Sequence, residues 1–298
     1  ASFSENLLAI DRTDSSKNIG MLSQLVAVVF RNNKPLCLQF WESWESYLSR
    51  SNNQSSTNHE FPVCRLLDAS YNLSREYLSG FFNGQIAREE FLDATAPFFR
   101  LLSVLCHTPD ICETMIEMLP PTLIRATIRC CASDRASPSE ATSLVMESFQ
   151  GLTKIASSSS TCLSALRRAL EDPSQVDRDD GDFYYQGPLL LASLLNSPID
   201  SKTTSSILGT IANLLKGAPQ RWAVPMAQQF VDQANGSGNS ATSKLVPFVW
   251  TNEEVLSHSA ILVVEELIGH MNQIVFGMSS NSGYDVAILA FLQSLGSA

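Results

Sequence analysis

Hydrophobic residues recur along most of the chain at steps of three and four positions, the spacing that places side chains on one face of an α-helix. The pattern is clearest between residues 18 and 48, where residues 31–35 (RNNKP) separate two such runs. The first run contains Ile19, Leu22, Leu25, Val26, Val29 and Phe30, and the second contains Cys37, Phe40, Trp41, Trp44 and Leu48. Pro35 suits a first helical turn, because the N–H that proline lacks would have no partner there. This segment therefore predicts two adjacent amphipathic helices.

Similar runs continue along the chain and predict a series of helices joined by short polar turns. They cover residues 61–82, 87–106, 111–119, 123–131, 138–155, 162–170, 188–195, 199–215, 220–231, 255–276 and 284–295. Residues 137–140 (SPSE) and 251–254 (TNEE) match the capping box that starts many helices. Pro97 lies inside one run and predicts a kink or a junction of two helices. No alternating run bounded by Asn-Gly or Asp-Gly turns competes with the helical pattern, so the predicted fold class is all-α.

Proline residues mark a loose repeat along this series of helices. Each follows a short polar turn and precedes a helix with an apolar stripe, as at Pro35, Pro109, Pro138, Pro173, Pro198 and Pro219. Degenerate helical pairs of this kind are typical of HEAT or armadillo repeats, which must stack on their neighbours to bury their apolar faces. We therefore expect residues 1–298 to form a single α-solenoid segment. An irregular helical bundle is the alternative, and the start without Met favours a fragment of a larger protein.

Composition and charge narrow the classes of function. Of 298 residues, 44% are hydrophobic and 17% are charged, which is enough apolar material for a continuous core. Lys and Arg total 20 against 30 Asp and Glu, and the net charge of −10 disfavours sequence-independent binding of nucleic acid. The longest aliphatic run, residues 260–264, is far too short to predict a membrane span. The odd number of cysteines, seven, favours reduced, buried thiols in a cytosolic or nuclear protein.

The residues that carry chemistry do not form a recognisable catalytic or metal motif. The four histidines, His59, His107, His258 and His270, are not spaced to serve a nearby nucleophile. Cys106, His107 and Cys112 lack paired zinc-ligand spacing, so buried thiols are the preferred interpretation. The acidic segment 171–182 lacks the Gly and the final Glu of a calcium loop. We therefore predict no enzymatic activity, no cofactor and no metal.

Two groups of side chains remain as candidates for binding. Trp41 and Trp44 lie three residues apart on one helix face, where paired indoles suit a partner helix or a Phe side chain. The alternative is that both pack against the preceding helix. The basic pairs Arg125 with Arg129, and Arg167 with Arg168, are expected to face solvent rather than a polyanion.

Residues 17–22 (KNIGML) and 34–41 (KPLCLQFW), together with the degenerate leucine-rich helical pairs, resemble the large α-helical scaffold nucleoporins of the nuclear-pore inner ring. The chain as a whole is similar to a C-terminal portion of a fungal member. The resemblance implies a superhelical stack that holds neighbouring nucleoporins and sometimes contacts Phe-Gly segments or transport receptors. It implies no functional residue, because no binding motif of the family matches position by position.

Two functions follow from this interpretation. The first is a scaffold segment of the nuclear pore complex, located in the nucleus and supporting nucleocytoplasmic transport. The second is a soluble HEAT or armadillo adaptor, such as a nuclear transport receptor or a cytoplasmic vesicle tether, that binds a cargo peptide in a concave groove.

Overall fold

The computed structural model describes residues 15–31, 33–51, 62–132, 140–171, 186–196, 200–232, 242–276 and 293. Within these residues the chain forms thirteen α-helices, and all of them except the four-residue α12 lie where the periodicity predicts a helix. They are α1 (Ser15–Phe30), α2 (Lys34–Ser51), α3 (Pro62–Phe82), α4 (Arg88–Leu105), α5 (Pro109–Met118), α6 (Pro121–Ala132), α7 (Glu140–Ala156), α8 (Ser160–Leu170), α9 (Gln186–Ser193), α10 (Ser201–Leu215), α11 (Gln220–Gln229), α12 (Val246–Val249) and α13 (Glu254–Phe276). The protein is therefore all-α.

Two small elements interrupt the helical pattern. A turn of 3₁₀-helix, Leu194–Asn196, extends α9. A two-residue antiparallel ladder joins β1 (Val231–Asp232) to β2 (Thr242–Ser243), with Val231 opposite Ser243. The prediction of a helix through Val231 is thus wrong by two residues. The helix α11 ends at Gln229, and Val231 pairs with Ser243 in the ladder instead. The capping box at 137–140, the acidic segment from 172 to 182 and the last predicted helix lie outside the described residues.

Several helix boundaries follow from local chemistry in the sequence. Asp200 accepts a hydrogen bond from the backbone N–H of Thr203 at 2.9 Å and so caps α10. Gly84, with φ of 68°, adopts the left-handed conformation just after α3 that glycine favours. The helix α4 continues through the buried Pro97, so the alternative of two helices meeting there is wrong. Thr251 accepts from the N–H of Glu253 at 3.4 Å, one residue earlier than the predicted capping box requires.

Every third helix packs against the next one in the same series. Extensive helix contacts join α1 to α4, α4 to α7, α7 to α10 and α10 to α13. We call these five helices the central row. The remaining helices pack beside it, with α3 on α4, α5 on α8, α6 on α8 and α9 on α11. An interior helix of the row has a row neighbour on each side. Such a helix is therefore apolar on more than one face.

One hydrophobic core extends along the central row, from Ile19 in α1 to Leu267 in α13. Aromatic rings join successive helices, as where Phe99 of α4 meets Phe149 of α7 with ring centroids 4.9 Å apart. The largest fully buried side chains are Trp222, Phe40, Phe91, Phe98, Phe99, Phe149 and Phe230. In the part of the chain that the structure describes, no helix is long and apolar enough to cross a membrane.

Candidate functional site

A groove of about 610 Å³ opens where α7, α10 and α13 meet. Small side chains let these helices come close, because α10 buries Thr203, Ser205, Ser206 and Gly209 among its neighbours. The groove is lined by Glu147, Gln150, Gly151, Lys154, Ser201, Lys202, Ser205, Ser206, Glu253, Val255 and Leu256. Its lining carries both signs of charge over an apolar floor.

Hydrogen bonds and an ion pair fix the polar side chains around this groove. Lys202 pairs with Glu147 across α10 and α7 at 2.5 Å, and the Ser201 hydroxyl donates to Glu253 Oε1 at 2.7 Å. Deeper in the seam, the hydroxyls of Ser205 and Ser259 lie 2.8 Å apart. No histidine or cysteine lines the groove. The groove therefore offers hydroxyl, carboxylate and ammonium groups as polar contacts.

The outer face of α1 is a second exposed surface, and it is apolar. We call it the α1 outer face, and it consists of Met21, Leu25, Val28 and Val29, whose side chains are 56–72% exposed. The opposite side of the helix buries Ile19, Val26 and Phe30. The helical spacing of the sequence predicts Leu25 and Val29 in the same apolar stripe as these core residues. In the structure Leu25 and Val29 are exposed, whereas Ile19, Val26 and Phe30 are buried. The helix α1 is thus apolar on more than one side.

Trp41 and Trp44 of α2 both lie in the core, with only 8% and 6% of their surface exposed. Their rings pack around Phe40, with the Trp44 ring stacked on it at 6.0 Å between centroids. Phe40 in turn meets Phe30 of α1 edge to face at 6.3 Å. The two indoles therefore join α2 to the core, and a partner approaching this helix would meet other residues first. Their role in partner binding remains a prediction.

Side chains from neighbouring helices satisfy the last carbonyl groups of three helices. The Trp41 indole N–H donates to the Leu105 carbonyl oxygen at the end of α4, at 2.8 Å. Arg125 of α6 donates to the Glu171 carbonyl oxygen after α8, at 2.7 Å. The His270 imidazole of α13 lies 2.8 Å from the Leu215 carbonyl oxygen of α10. These carbonyls have no partner within their own helix, so each contact stabilises one helix end through another helix.

Arg167 makes two contacts of this kind. From α8 it donates through Nε to the Leu214 carbonyl oxygen at 2.9 Å and through Nη2 to that of Lys216 at 2.6 Å. Burial lowers the pKa of its guanidinium, an effect that the nearby Glu171 opposes. The prediction that Arg167 faces solvent is wrong, because the end of α10 needs donors. Its neighbour Arg168 is exposed, as expected.

All seven cysteines are free thiols and buried, as the sequence predicts. Cys112 lies between the thiols of Cys106 and Cys162. The hydrogen bond with Cys106 raises the pKa of the Cys112 thiol. The hydrogen bond with Cys112 raises the pKa of the Cys162 thiol. Burial raises the pKa of the Cys130 thiol to about 12. Such thiols stay protonated and are poor nucleophiles at neutral pH.

The described residues contain no group of three or more His, Cys, Asp and Glu side chains placed to hold a metal ion. Of the histidines, His107 has Nδ1 3.2 Å from the Leu105 carbonyl oxygen, and His258 is exposed on α13. His59 lies outside the described residues. The histidines that the structure describes are therefore held by backbone or face solvent, and none is bonded to a nucleophile.

The described part of the chain is thus all-α, with a polar groove, an apolar outer helix face and buried thiols. Comparison with known proteins finds no matching family model, no matching curated protein and no matching solved structure.

Proposed function

We propose that this chain is a non-enzymatic scaffold segment that presents a row of stacked helices to other proteins. The observation that carries the proposal is the central row, in which every third helix packs against the next over one continuous core. A three-helix step of this kind supports an armadillo-like α-solenoid, whose repeats contain two or three helices. The exposed apolar side chains of α1 also support the proposal. An interior helix of such a stack is covered on both sides and so can be apolar on both.

We further propose that the scaffold belongs to the nuclear pore complex and acts in the nucleus. The resemblance of residues 17–22 and 34–41 to inner-ring scaffold nucleoporins supports this assignment. Both segments lie in the first two helices, where α1 and α2 pack together through Phe30 and Phe40. Other nucleoporins, Phe-Gly segments and transport receptors are the partners proposed on this basis.

The groove between α7, α10 and α13 favours a second candidate, an adaptor that binds a cargo peptide. Its size, mixed charges and apolar floor suit a short extended segment with side chains of both kinds. A nuclear transport receptor or a cytoplasmic vesicle tether would use such a groove. The two candidates differ in which surface the partner needs.

Affinity purification from nuclear envelopes distinguishes the two candidates. Under the scaffold proposal, the tagged chain recovers pore components, and a tagged fluorescent version marks the nuclear rim. The matched variant Lys154→Glu with Lys202→Glu reverses two groove charges and leaves this recovery unchanged. A bait that recovers no pore component would overturn the pore assignment. Loss of a partner in the groove variant alone would favour the adaptor.

Small-angle X-ray scattering tests whether residues 1–298 form a single elongated α-solenoid or a compact bundle. A compact bundle of this length has a radius of gyration of about 19 Å. The stacked row predicts a larger value and a distance distribution with a long tail. A compact, symmetric distribution would favour the irregular bundle.

A further inference from the structure

Among the residues that the structure describes, the α1 outer face lacks the neighbour that the interior helices of the central row have. In α10, which lies between α7 and α13, twelve of the fifteen residues are buried. In α1, only the side facing α4 is buried, while Met21, Leu25 and Val28 remain exposed on the other. A helix that is apolar on opposite faces is stable in water when both are covered. The composition of α1 is therefore that of an interior helix located at the end of the row.

The other end of the row, α13, also exposes apolar side chains. Leu256, Val263 and Leu267 are buried on the side that packs against α10. Ile261 and Ile268 lie on another side of the helix, beside the exposed Glu254, His258 and Glu265, and both are more than a third exposed. We call this second surface the α13 outer face. In the described part of the chain, each end of the row thus exposes apolar side chains, whereas isolated helical arrays use polar capping helices to stay soluble.

The two outer faces carry opposite charge. Residues 15–41, which contain α1, include the exposed cations Lys17, Arg31 and Lys34 and no Asp or Glu. After Lys244 the chain contains no Lys or Arg at all, and Glu254 and Glu265 are exposed along α13. Complementary fields steer two surfaces together and fix their register. Because the chain as a whole carries −10, the cationic end is a departure from its average.

We propose that the α13 outer face of one copy packs on the α1 outer face of the next, so that the central rows join head to tail. Ile261 and Ile268 then cover Leu25 and Val28, while Glu254 and Glu265 lie against Lys17 and Arg31. The contact is heterologous, so each added copy leaves a new face free, and the assembly grows as an open series. The inference concerns this chain alone and does not depend on the assignment to the nuclear pore.

Analytical ultracentrifugation of the full chain tests the contact. The mass is expected to rise with protein concentration past that of a dimer and to fall with added salt, since exposed charges are screened. In the variant Lys17→Glu with Arg31→Glu, the association constant falls by about a hundredfold, because like charges then face each other. The variant Glu254→Lys with Glu265→Lys loses association for the same reason.

Mixing these two variants is the decisive step. Each is monomeric alone, and together they associate again, because the reversed faces complement each other. Arg168→Glu, on the exposed side of α8, is the matched control and associates like the unmodified chain. An unmodified chain that is monomeric at every concentration, or an association constant that is unchanged in either double variant, would overturn the inference. Far-ultraviolet circular dichroism and thermal unfolding establish that each variant is folded.

Discussion

Arg167 Nε and the Leu214 carbonyl oxygen lie 2.9 Å apart, and this bond closes the end of α10 from inside the protein. The guanidinium is 6% exposed, so the contact is made away from water. Arginine suits the position, since its rigid fork reaches two carbonyl groups at once and stays charged when buried. The end of α10 is thus stabilised by α8, two helices earlier in the chain.

Arg167→Ala is expected to lower the free energy of unfolding by about 3 kcal/mol, because the carbonyl groups of Leu214 and Lys216 lose a charged donor. Urea unfolding followed by circular dichroism measures the loss. Arg168→Ala, one residue later and exposed, changes it by less than about 0.5 kcal/mol. Equal effects from the two substitutions would contradict a capping role for Arg167.

Trp41→Phe keeps most of the ring volume and removes the N–H that bonds to the Leu105 carbonyl oxygen. We expect a loss of about 1–3 kcal/mol, the effect of leaving a buried polar group without its partner. Trp41→Ala removes the ring as well and lowers stability by about 4 kcal/mol. Leu38→Ala, on the same helix but half exposed, is the control and is close to neutral. A Trp41→Phe protein as stable as the original would separate the indole from the end of α4.

Gly187 approaches a tryptophan so closely that any side chain there collides with it. A Cβ atom at this position would lie 2.8 Å from Cη2 of Trp222, whose ring is fully buried and held by a bond from Nε1 to Glu171 at 2.7 Å. Gly187→Ala therefore destabilises by about 1–3 kcal/mol.

A second glycine provides the opposite result as a control. A Cβ at Gly20 meets no atom within 4 Å, and Gly20→Ala in α1 stabilises by about 0.5–1 kcal/mol. Thermal unfolding of the two variants is expected to shift in opposite directions. A stabilising Gly187→Ala would show that α9 and α11 can move apart freely.

The Asp200 cap makes part of the stability dependent on pH. Burial alone would raise the pKa of this carboxyl, but hydrogen bonds from the hydroxyl and N–H of Thr203 and from the N–H of Lys202 lower it overall. A lowered pKa in the folded state stabilises above the unfolded value of about 3.9 and is lost as the pH falls through the folded value. Asp200→Ala is therefore expected to lose about 1 kcal/mol at pH 7 and less at low pH.

Asp200→Asn separates the charge of this cap from its geometry. Asparagine caps a helix as well as aspartate does but does not titrate in this range. Its stability relative to Asp200→Ala should stay constant with pH, whereas that of the original protein should decline toward acid. Parallel pH profiles for Asp200 and Asn at this position would contradict the proposed titration. Urea titrations across the acid range provide the comparison.

The sequence predicted the helices well because each depends on local periodicity and local caps. The turn before α8 is an example, since Ser159 accepts from the N–H of Cys162 at 3.3 Å as a serine-rich start suggests. The same reasoning failed where two patterns overlap. In α1 every apolar residue fits a helical step, so spacing alone could not show that Ile19 is buried and Leu25 exposed.

The capping contacts could not be predicted because they join residues 44–64 positions apart. Arg125 and Arg167 are charged residues, which usually lie at the surface. Only the packing of their helices brings their side chains to the carbonyl groups of other helices. The groove was missed for the same reason. Lys202 and Glu147 pair across 55 residues, since α7 and α10 are neighbours in the row although two helices separate them in the chain.

The small residues of α10 also determine how the row can bend. Hydroxyl and hydrogen side chains at Ser205 and Gly209 hold α13 on one side and α7 on the other at short range. Replacing a hydroxyl by an isobutyl group would widen one side of this junction and leave the other unchanged. A stack that is wider on one side curves away from it. Side-chain volume at these junctions would therefore set the direction in which such a stack curves, without any change in the loops or the charges.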